Sequence, residues 1–190
     1  MTERGHIDLS KPDFFTLDEA DRMLDMGFFP DIMWVIERMT NREQTLLFSA
    51  TFPQEIIDAA IKMNVRAVSY SRSPAQKFIK KLKASNVICI PTVGALKHAI
   101  KAEELGADAL VVQGSEGGGH TGSTPTTLLL GSVLNYVNIP VYAAGGFKDG
   151  SGLAAAKAWG AVGIAMGTRF MMTEESPVPK KTKEAYLNAN

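Results

Sequence analysis

The chain has 190 residues, of which 45% are hydrophobic and 21% are charged, and its formal net charge is zero. This composition excludes a disordered chain, and the length suits one well-buried domain. No apolar run approaches the roughly 20 residues that span a bilayer, and residues 1–4 do not begin a signal peptide. We therefore expect a cytoplasmic protein with no membrane partner.

The charge distribution and the cysteine content exclude further classes of partner and of site. Residues 1–55 carry 5 Lys/Arg against 11 Asp/Glu, whereas residues 56–190 carry 15 against 9. Because neutralised phosphates supply most of the affinity for nucleic acids, the acidic first part predicts no nucleic-acid partner. The single cysteine, Cys89, excludes an internal disulfide and a cysteine-rich zinc site, and its apolar surroundings predict a buried strand thiol.

Short β-rich runs alternate with longer amphipathic ones along the chain, which predicts a parallel sheet with crossover helices. The predicted strands are 14–18, 45–49, 66–71, 87–92, 109–113, 140–144 and 162–166. The predicted helices are 21–39, 53–63, 74–84, 94–105, 125–137, 150–159 and a last one near 180–188. Asp149 is expected to cap a helix N-terminus, while Gly106 and Gly160 sit where helices end.

These elements predict an α/β fold, a TIM-barrel-like (βα) barrel with parallel strands. The later strands recur about every 20–30 residues, which is typical of βα units. Seven strands leave the barrel incomplete unless an eighth strand or a partner chain closes it, and an open doubly wound parallel sheet is the alternative. No linker marks residues 53–60, so residues 1–190 are expected to form a single merged domain. An open sheet edge would favour a homodimer.

The first motif lies at the end of the first predicted strand. Residues 17–24 read LDEADRML and residues 47–52 read LFSATF, a pattern that resembles the DEAD-box RNA helicases. The resemblance implies that Asp18 helps to hold Mg²⁺ and that Glu19 positions the attacking water. It also implies that Asp21 and the Ser-Ala-Thr triplet couple ATP hydrolysis to RNA.

The phosphate cradle that such chemistry needs is missing from this pattern. Phosphoryl transfer requires a glycine-rich loop with a lysine, and the 17 residues ahead of Asp18 contain no such loop. The nearest candidate, residues 117–124, has Ser123 in place of the lysine. Helicase or ATPase activity is therefore not expected.

The second set of motifs lies at the ends of the last two predicted strands and just after the strand that ends at residue 113. Residues 116–120 read EGGGH, residues 143–146 read AAGG and residues 166–170 read MGTRF. From about residue 57 onward the chain resembles the nitronate monooxygenases and related FMN-dependent enoyl reductases. Two glycine turns at neighbouring strand ends can present N–H groups to an anion, although glycines also simply make tight turns.

The resemblance assigns roles to individual residues. It implies that Gly145, Gly146, Gly167 and Thr168 bind the FMN phosphate, and that Gln113 and Gly114 contact the flavin ring, to which a neutral amide can donate. It makes His120 the catalytic base or substrate-orienting group, because a pKa near neutrality suits proton abstraction. A loop histidine can also be merely solvated. No metal site is expected.

Together the motifs predict a chimeric chain, natural or engineered, with a helicase-like βαβ module at 1–55 and flavin-barrel-like units at 56–190. The expected function is residual binding of FMN or a phosphate-like anion with little or no catalysis, because carboxylates such as Asp18 and Glu19 would repel the phosphate. An active FMN-dependent oxidoreductase of the nitronate monooxygenase type is the first alternative. A nucleotide- or RNA-binding helicase fragment is the second.

Overall fold

A computed structural model describes residues 7–49, 51, 53–71, 76–119 and 121–189. The chain divides into two compact units. Unit 1 comprises Met1–Val68 and Pro74–Cys89, and unit 2 comprises Ser69–Ser73 and Ile90–Asn190. All seven predicted strands are present, each with bounds within two residues of those predicted. Within the described ranges, no helix has the length and apolar character needed to cross a membrane.

Unit 1 is built around a short parallel sheet. Its elements are β1 (Phe14–Leu17), α1 (Ala20–Asp25), α2 (Phe29–Arg38), β2 (Gln44–Leu47), α3 (Gln54–Lys62) and α4 (Gln76–Ala84). Strands β1 and β2 pair in parallel, with Phe14 opposite Gln44 and Leu17 opposite Leu47. Leu17 packs into a buried cluster with side chains of α2 and α3, which include Ile32, Ile36 and Ile56.

The prediction of one helix over 21–39 is wrong, because two helices occupy that stretch. Gly27 adopts φ 80 between α1 and α2, a left-handed conformation that ends α1. Pro30 then lies in the first turn of α2, where its missing N–H costs nothing. Apolar residues keep their helical spacing across Gly27, so the sequence pattern predicted one continuous helix.

The remaining strands form a five-stranded sheet: β3 (Ala67–Tyr70), β4 (Ile88–Val93), β5 (Leu110–Gln113), β6 (Val141–Ala144) and β7 (Gly163–Ala165). Helices α5 (Leu96–Glu104), α6 (Thr126–Leu134) and α7 (Gly150–Trp159) connect the strands from β4 onward. Two further helices follow, α8 (Thr168–Met171) and α9 (Lys180–Leu187). The strand order is β3-β4-β5-β6-β7, and the recorded registers from β4 to β7 are parallel.

The core of unit 2 lies between this sheet and its helices. Leu110 and Val112 of β5 and Val141 of β6 pack there against Leu130 and Val133 of α6. Because side chains alternate along a strand, the intervening residues of β5 and β6 lie on the other face of the sheet. The parallel α/β class is confirmed. The described strands form sheets of two and five, so barrel closure and the single merged domain stay predictions.

Several local predictions are confirmed. The Asp149 carboxylate accepts hydrogen bonds from the N–H groups of Ser151 and Gly152, and so caps α7. Gly160, with φ 108, ends the same helix, and Gly106, with φ 94, follows α5. Cys89 is fully buried in β4. The short helix α8 was not predicted.

Candidate functional site

A cavity of about 920 Å³ opens at the carboxyl ends of the unit 2 strands. Thr92, Gln113, Ala144 and Ala165 line it at the ends of β4, β5, β6 and β7, together with the loops that follow. Parallel α/β folds build their sites at this end, because all βα loops converge there. Five of the six predicted cofactor residues line the cavity: Gln113, Gly145, Gly146, Gly167 and Thr168.

The turn after β6 needs glycine on steric grounds. Gly145 and Gly146 adopt φ 94 and φ 80, which side chains of L-residues rarely tolerate. A Cβ atom at Gly145 would lie 2.9 Å from the backbone nitrogen of Gly117 and 2.9 Å from the hydroxyl oxygen of Thr126. The turn is therefore bare backbone on the cavity wall.

The turn after β7 is less constrained. Gly167 has an ordinary negative φ, and nothing lies within 4 Å of a Cβ atom added to it. Helix α8 begins at the next residue, Thr168. In the part of the chain that the structure describes, no group accepts a hydrogen bond from the backbone N–H of Gly146, Gly167 or Thr168. Both turns thus offer unused donors to a ligand.

Two cations line the same cavity, and sequence reasoning missed both. Lys148 follows the first turn and Arg169 follows the second. Neither forms an ion pair with a described acidic group. Among the described residues, the charged lining of the cavity consists of these two residues and Glu116, so this lining carries an excess of positive charge. Each cation lies two residues after a glycine of its turn, and this position was the sequence feature that could have identified both as site residues.

Glu116 is tied to the start of α6. One of its carboxylate oxygens accepts hydrogen bonds from both the N–H and the hydroxyl of Thr126, each at 2.8 Å. The residue before the helix, Pro125, offers no side-chain cap, so Glu116 supplies the acceptor for the first turn. The Thr126 hydroxyl above all, and then the backbone N–H groups, hold the pKa of Glu116 below its usual range.

Glu116 was also missed as a site residue. The pattern at residues 116–120 drew attention to its glycines and its histidine, whereas the partner of Glu116 lies ten residues further on in another element. No local spacing rule links a loop carboxylate to that position.

The structure gives the predicted ring-contacting residues structural contacts of their own. The Gln113 amide donates to the carbonyl of Gly118 at 2.8 Å and so holds the loop that follows β5. Gly114 is buried and does not line the cavity; a Cβ atom there would lie 2.3 Å from Thr126. Contact of either residue with a flavin stays a prediction.

His120 lies outside the described residues, so its catalytic role stays a prediction as well. The loop that would carry it is described as far as Gly119 and again from Thr121.

In unit 1 the helicase-like motifs do meet. The Asp21 carboxylate accepts from the Thr51 N–H at 3.0 Å and from its hydroxyl at 2.8 Å. That hydroxyl is the main reason why the pKa of Asp21 is lowered. Within the described residues, no group of three or more His, Cys, Asp or Glu side chains could hold a metal ion.

Comparison with known families shows which proteins share this sequence. The model of the nitronate monooxygenase family matches residues 32–190. The chain belongs to the nitronate monooxygenase family. The match begins well ahead of residue 57, where the motif resemblance begins. The model of the DEAD/DEAH box helicase family matches residues 1–60, so the two matches overlap. Both resemblances are confirmed, while the splice itself stays a hypothesis.

Curated relatives match the family part of the chain. A "(3aS,4S,5R,7aS)-5-hydroxy-7a-methyl-1-oxo-octahydro-1H-indene-4-carboxyl-CoA dehydrogenase" of Rhodococcus jostii is 60% identical over 131 residues, which are 69% of this chain and 37% of that protein. A probable nitronate monooxygenase of Staphylococcus aureus is 38% identical over 144 residues, which are 70% of this chain and 41% of that protein. The chain thus spans less than half the length of these relatives.

Solved structures support the same fold. FabK from Thermotoga maritima superposes with a TM-score of 0.73 at 34% identity, covering 85% of this chain and 53% of that one. A nitroalkane oxidase from Streptomyces ansochromogenes superposes with a TM-score of 0.66 at 25% identity, covering 96% of this chain and 56% of that one. The TIM-barrel-like parallel α/β class is thereby confirmed.

Proposed function

We propose that unit 2 binds FMN, with the phosphate group at the two glycine turns and with little or no turnover. The observation that carries the proposal is the set of unused N–H donors at Gly146, Gly167 and Thr168 beside the cations Lys148 and Arg169. Of these cations, Lys148 also interacts electrostatically with its neighbour Asp149. A phosphate ester carries about two negative charges and accepts several hydrogen bonds at once. Donors and cations of this kind are what such a group needs.

The cavity also suits the rest of the cofactor. Its volume of about 920 Å³ lies within the range of small-molecule sites. Val111, Ala144, Ala165 and Met166 supply apolar wall for a flat ring system. When bound, FMN would supply redox chemistry of the class named in the relatives, a dehydrogenase and nitronate monooxygenases. The residues of this chain would hold the cofactor and orient it.

Weak turnover is proposed because the first part of the chain lies outside the nitronate monooxygenase match. Residues 1–31 match the helicase family and fall outside the nitronate monooxygenase match. The 60% identity over 131 residues favours the alternative, an active FMN oxidoreductase. Turnover of an alkyl nitronate by the flavin-loaded protein separates the two: a sustained rate with oxygen would support the alternative.

The phosphate site is tested by one charge at Gly167. We expect Gly167→Asp to weaken FMN binding at least about tenfold, since about 1.4 kcal/mol of repulsion between carboxylate and phosphate corresponds to that factor. The substitution fits the backbone, because Gly167 has a negative φ and open space around it. Quenching of flavin fluorescence during titration measures the dissociation constant.

Gly167→Asn is the matched control, because it adds the same volume without the charge. We expect it to bind FMN within about threefold of the parent protein. Equal affinity of the Asp and Asn variants would overturn the phosphate site, as would a parent protein that takes up no FMN. Calorimetric titration with ATP or RNA tests the nucleotide-binding alternative.

A further inference from the structure

Thr126 joins three segments of the cavity. It is the first residue of α6 and is only 3% exposed. Its hydroxyl lies 2.8 Å from the Glu116 carboxylate, 3.2 Å from the carbonyl oxygen of Gly145 and 3.4 Å from that of Ala144. The loop after β5, the end of β6 and the start of α6 therefore meet at one hydroxyl group.

The contact with Gly145 bears on the proposed phosphate donor. The carbonyl of Gly145 and the N–H of Gly146 belong to the same peptide unit, and in a trans peptide these two groups point in opposite directions. The single proton of the Thr126 hydroxyl goes mainly to Glu116 at 2.8 Å and is shared with the Gly145 carbonyl at 3.2 Å. This shared hydrogen bond holds the carbonyl on one side and so directs the N–H to the other side. The peptide lies between two glycines with positive φ, and glycine permits both orientations at little cost.

Such a peptide needs an external group to select its orientation. The hydroxyl of Thr126 is positioned for this task, because it is buried and because Glu116 fixes the backbone of Thr126 by accepting from its N–H. The packing is tight as well, since Cβ atoms added at Gly114 or Gly145 would lie 2.3 Å and 2.9 Å from Thr126. The node formed by Thr126, Glu116 and Gly145 is thus built from close contacts.

We infer that Thr126 is a positioning residue, whose hydroxyl fixes the Gly145–Gly146 peptide so that the Gly146 N–H is available to the phosphate of FMN. The inference rests on the proposed FMN site and adds the group that orients it. It assigns Thr126 no contact with the cofactor.

Removal of the hydroxyl at constant volume tests this role. In Thr126→Val, we expect FMN affinity to fall about three- to tenfold, the range of one lost hydrogen bond. Affinity for riboflavin, which lacks the phosphate, should stay within about twofold, because only the phosphate uses the Gly146 N–H. The ratio of the two dissociation constants is therefore the decisive quantity, measured by flavin fluorescence.

Two further variants separate positioning from general stability. Thr126→Ser keeps the hydroxyl and should restore the FMN-to-riboflavin ratio. Ser132→Ala removes an exposed hydroxyl from the same helix, one that donates to the Leu128 carbonyl, and should leave both affinities unchanged.

The outcomes are distinguishable. A parent protein that binds FMN and riboflavin equally, or neither, would refute the phosphate site and this role together. A parent protein that prefers FMN, combined with a Thr126→Val variant that keeps the full preference, would overturn the role of Thr126 alone. Equal loss of both flavins in Thr126→Val would show a structural role only, and would also overturn it.

Discussion

At the scale of single residues, the charge of the candidate site comes from residues to which the sequence motifs assign no role. Lys148, Arg169 and Glu116 supply the formal charge of the cavity lining in the part of the chain that the structure describes. The glycines beside them were predicted, because a glycine at a strand end has a local reason to be there. A charged side chain is common on any surface, so its meaning depends on what the fold places next to it.

The lowered pKa of Glu116 predicts a pH-dependent contribution to stability. Because its pKa in the folded state lies below the ordinary value of 4.5, the ionised carboxylate stabilises the fold above that pH. The contribution is lost as the pH falls through the lowered pKa. Thr126 and Ser115 donate to this carboxylate, and protonation would weaken both hydrogen bonds.

The test compares the parent protein with Glu116→Gln. We expect the variant to have a lower urea midpoint at pH 7 and the difference to shrink below about pH 4.5. Taking the difference removes the effect of other carboxylates with lowered pKa values, such as Asp149 and Asp58. A difference that stays constant from pH 7 to pH 3 would refute an ionised, capping Glu116.

At the scale of elements, α6 is the helix that connects core and site. Its first residue forms the hydroxyl node, while Leu130 and Val133 further along are fully buried against the sheet. The apolar face of α6 was predictable from its composition. The role of its N-terminus was not, because the capping group comes from a loop ten residues upstream rather than from the residue ahead of the helix.

We expect Leu130→Ala to lower the free energy of unfolding by about 2–5 kcal/mol, the range for a truncated core leucine. Leu128→Ala is the control on the same helix, because Leu128 is 65% exposed, and it should change stability by less than about 0.5 kcal/mol. Urea denaturation followed by circular dichroism measures both. A small effect at Leu130 would argue against the packing of α6 on the sheet.

At the scale of the whole molecule, the open question is whether the two units unfold together. The chain contains two tryptophans, Trp34 in unit 1 and Trp159 in unit 2. The prediction of a single merged domain requires one cooperative transition. Each tryptophan can report on its own unit when the other is replaced by phenylalanine.

In Trp34→Phe and in Trp159→Phe, we expect the urea midpoint from fluorescence to coincide with the midpoint from circular dichroism. Added FMN should raise both midpoints equally, because a ligand that binds one part of a cooperative domain stabilises all of it. Two separate midpoints, with FMN raising that of unit 2 alone, would replace the merged domain by two independent ones.

Local patterns in the sequence were enough to predict the order of the seven strands and most of the helices, but not helix α8. Strand alternation, helix period, the cap at Asp149 and the glycine turns all depend on neighbours along the chain, so they can be read locally. The break at Gly27 was missed because the hydrophobic period runs through it.

Only the tertiary structure brought Thr126 to Gly145, nineteen residues away, and Glu116 to the start of α6. Contacts over such separations depend on how the strands pair and how the loops fold back between them. No periodic pattern in the sequence marks such contacts. Each partner is an ordinary polar residue whose role arises only when the fold buries it.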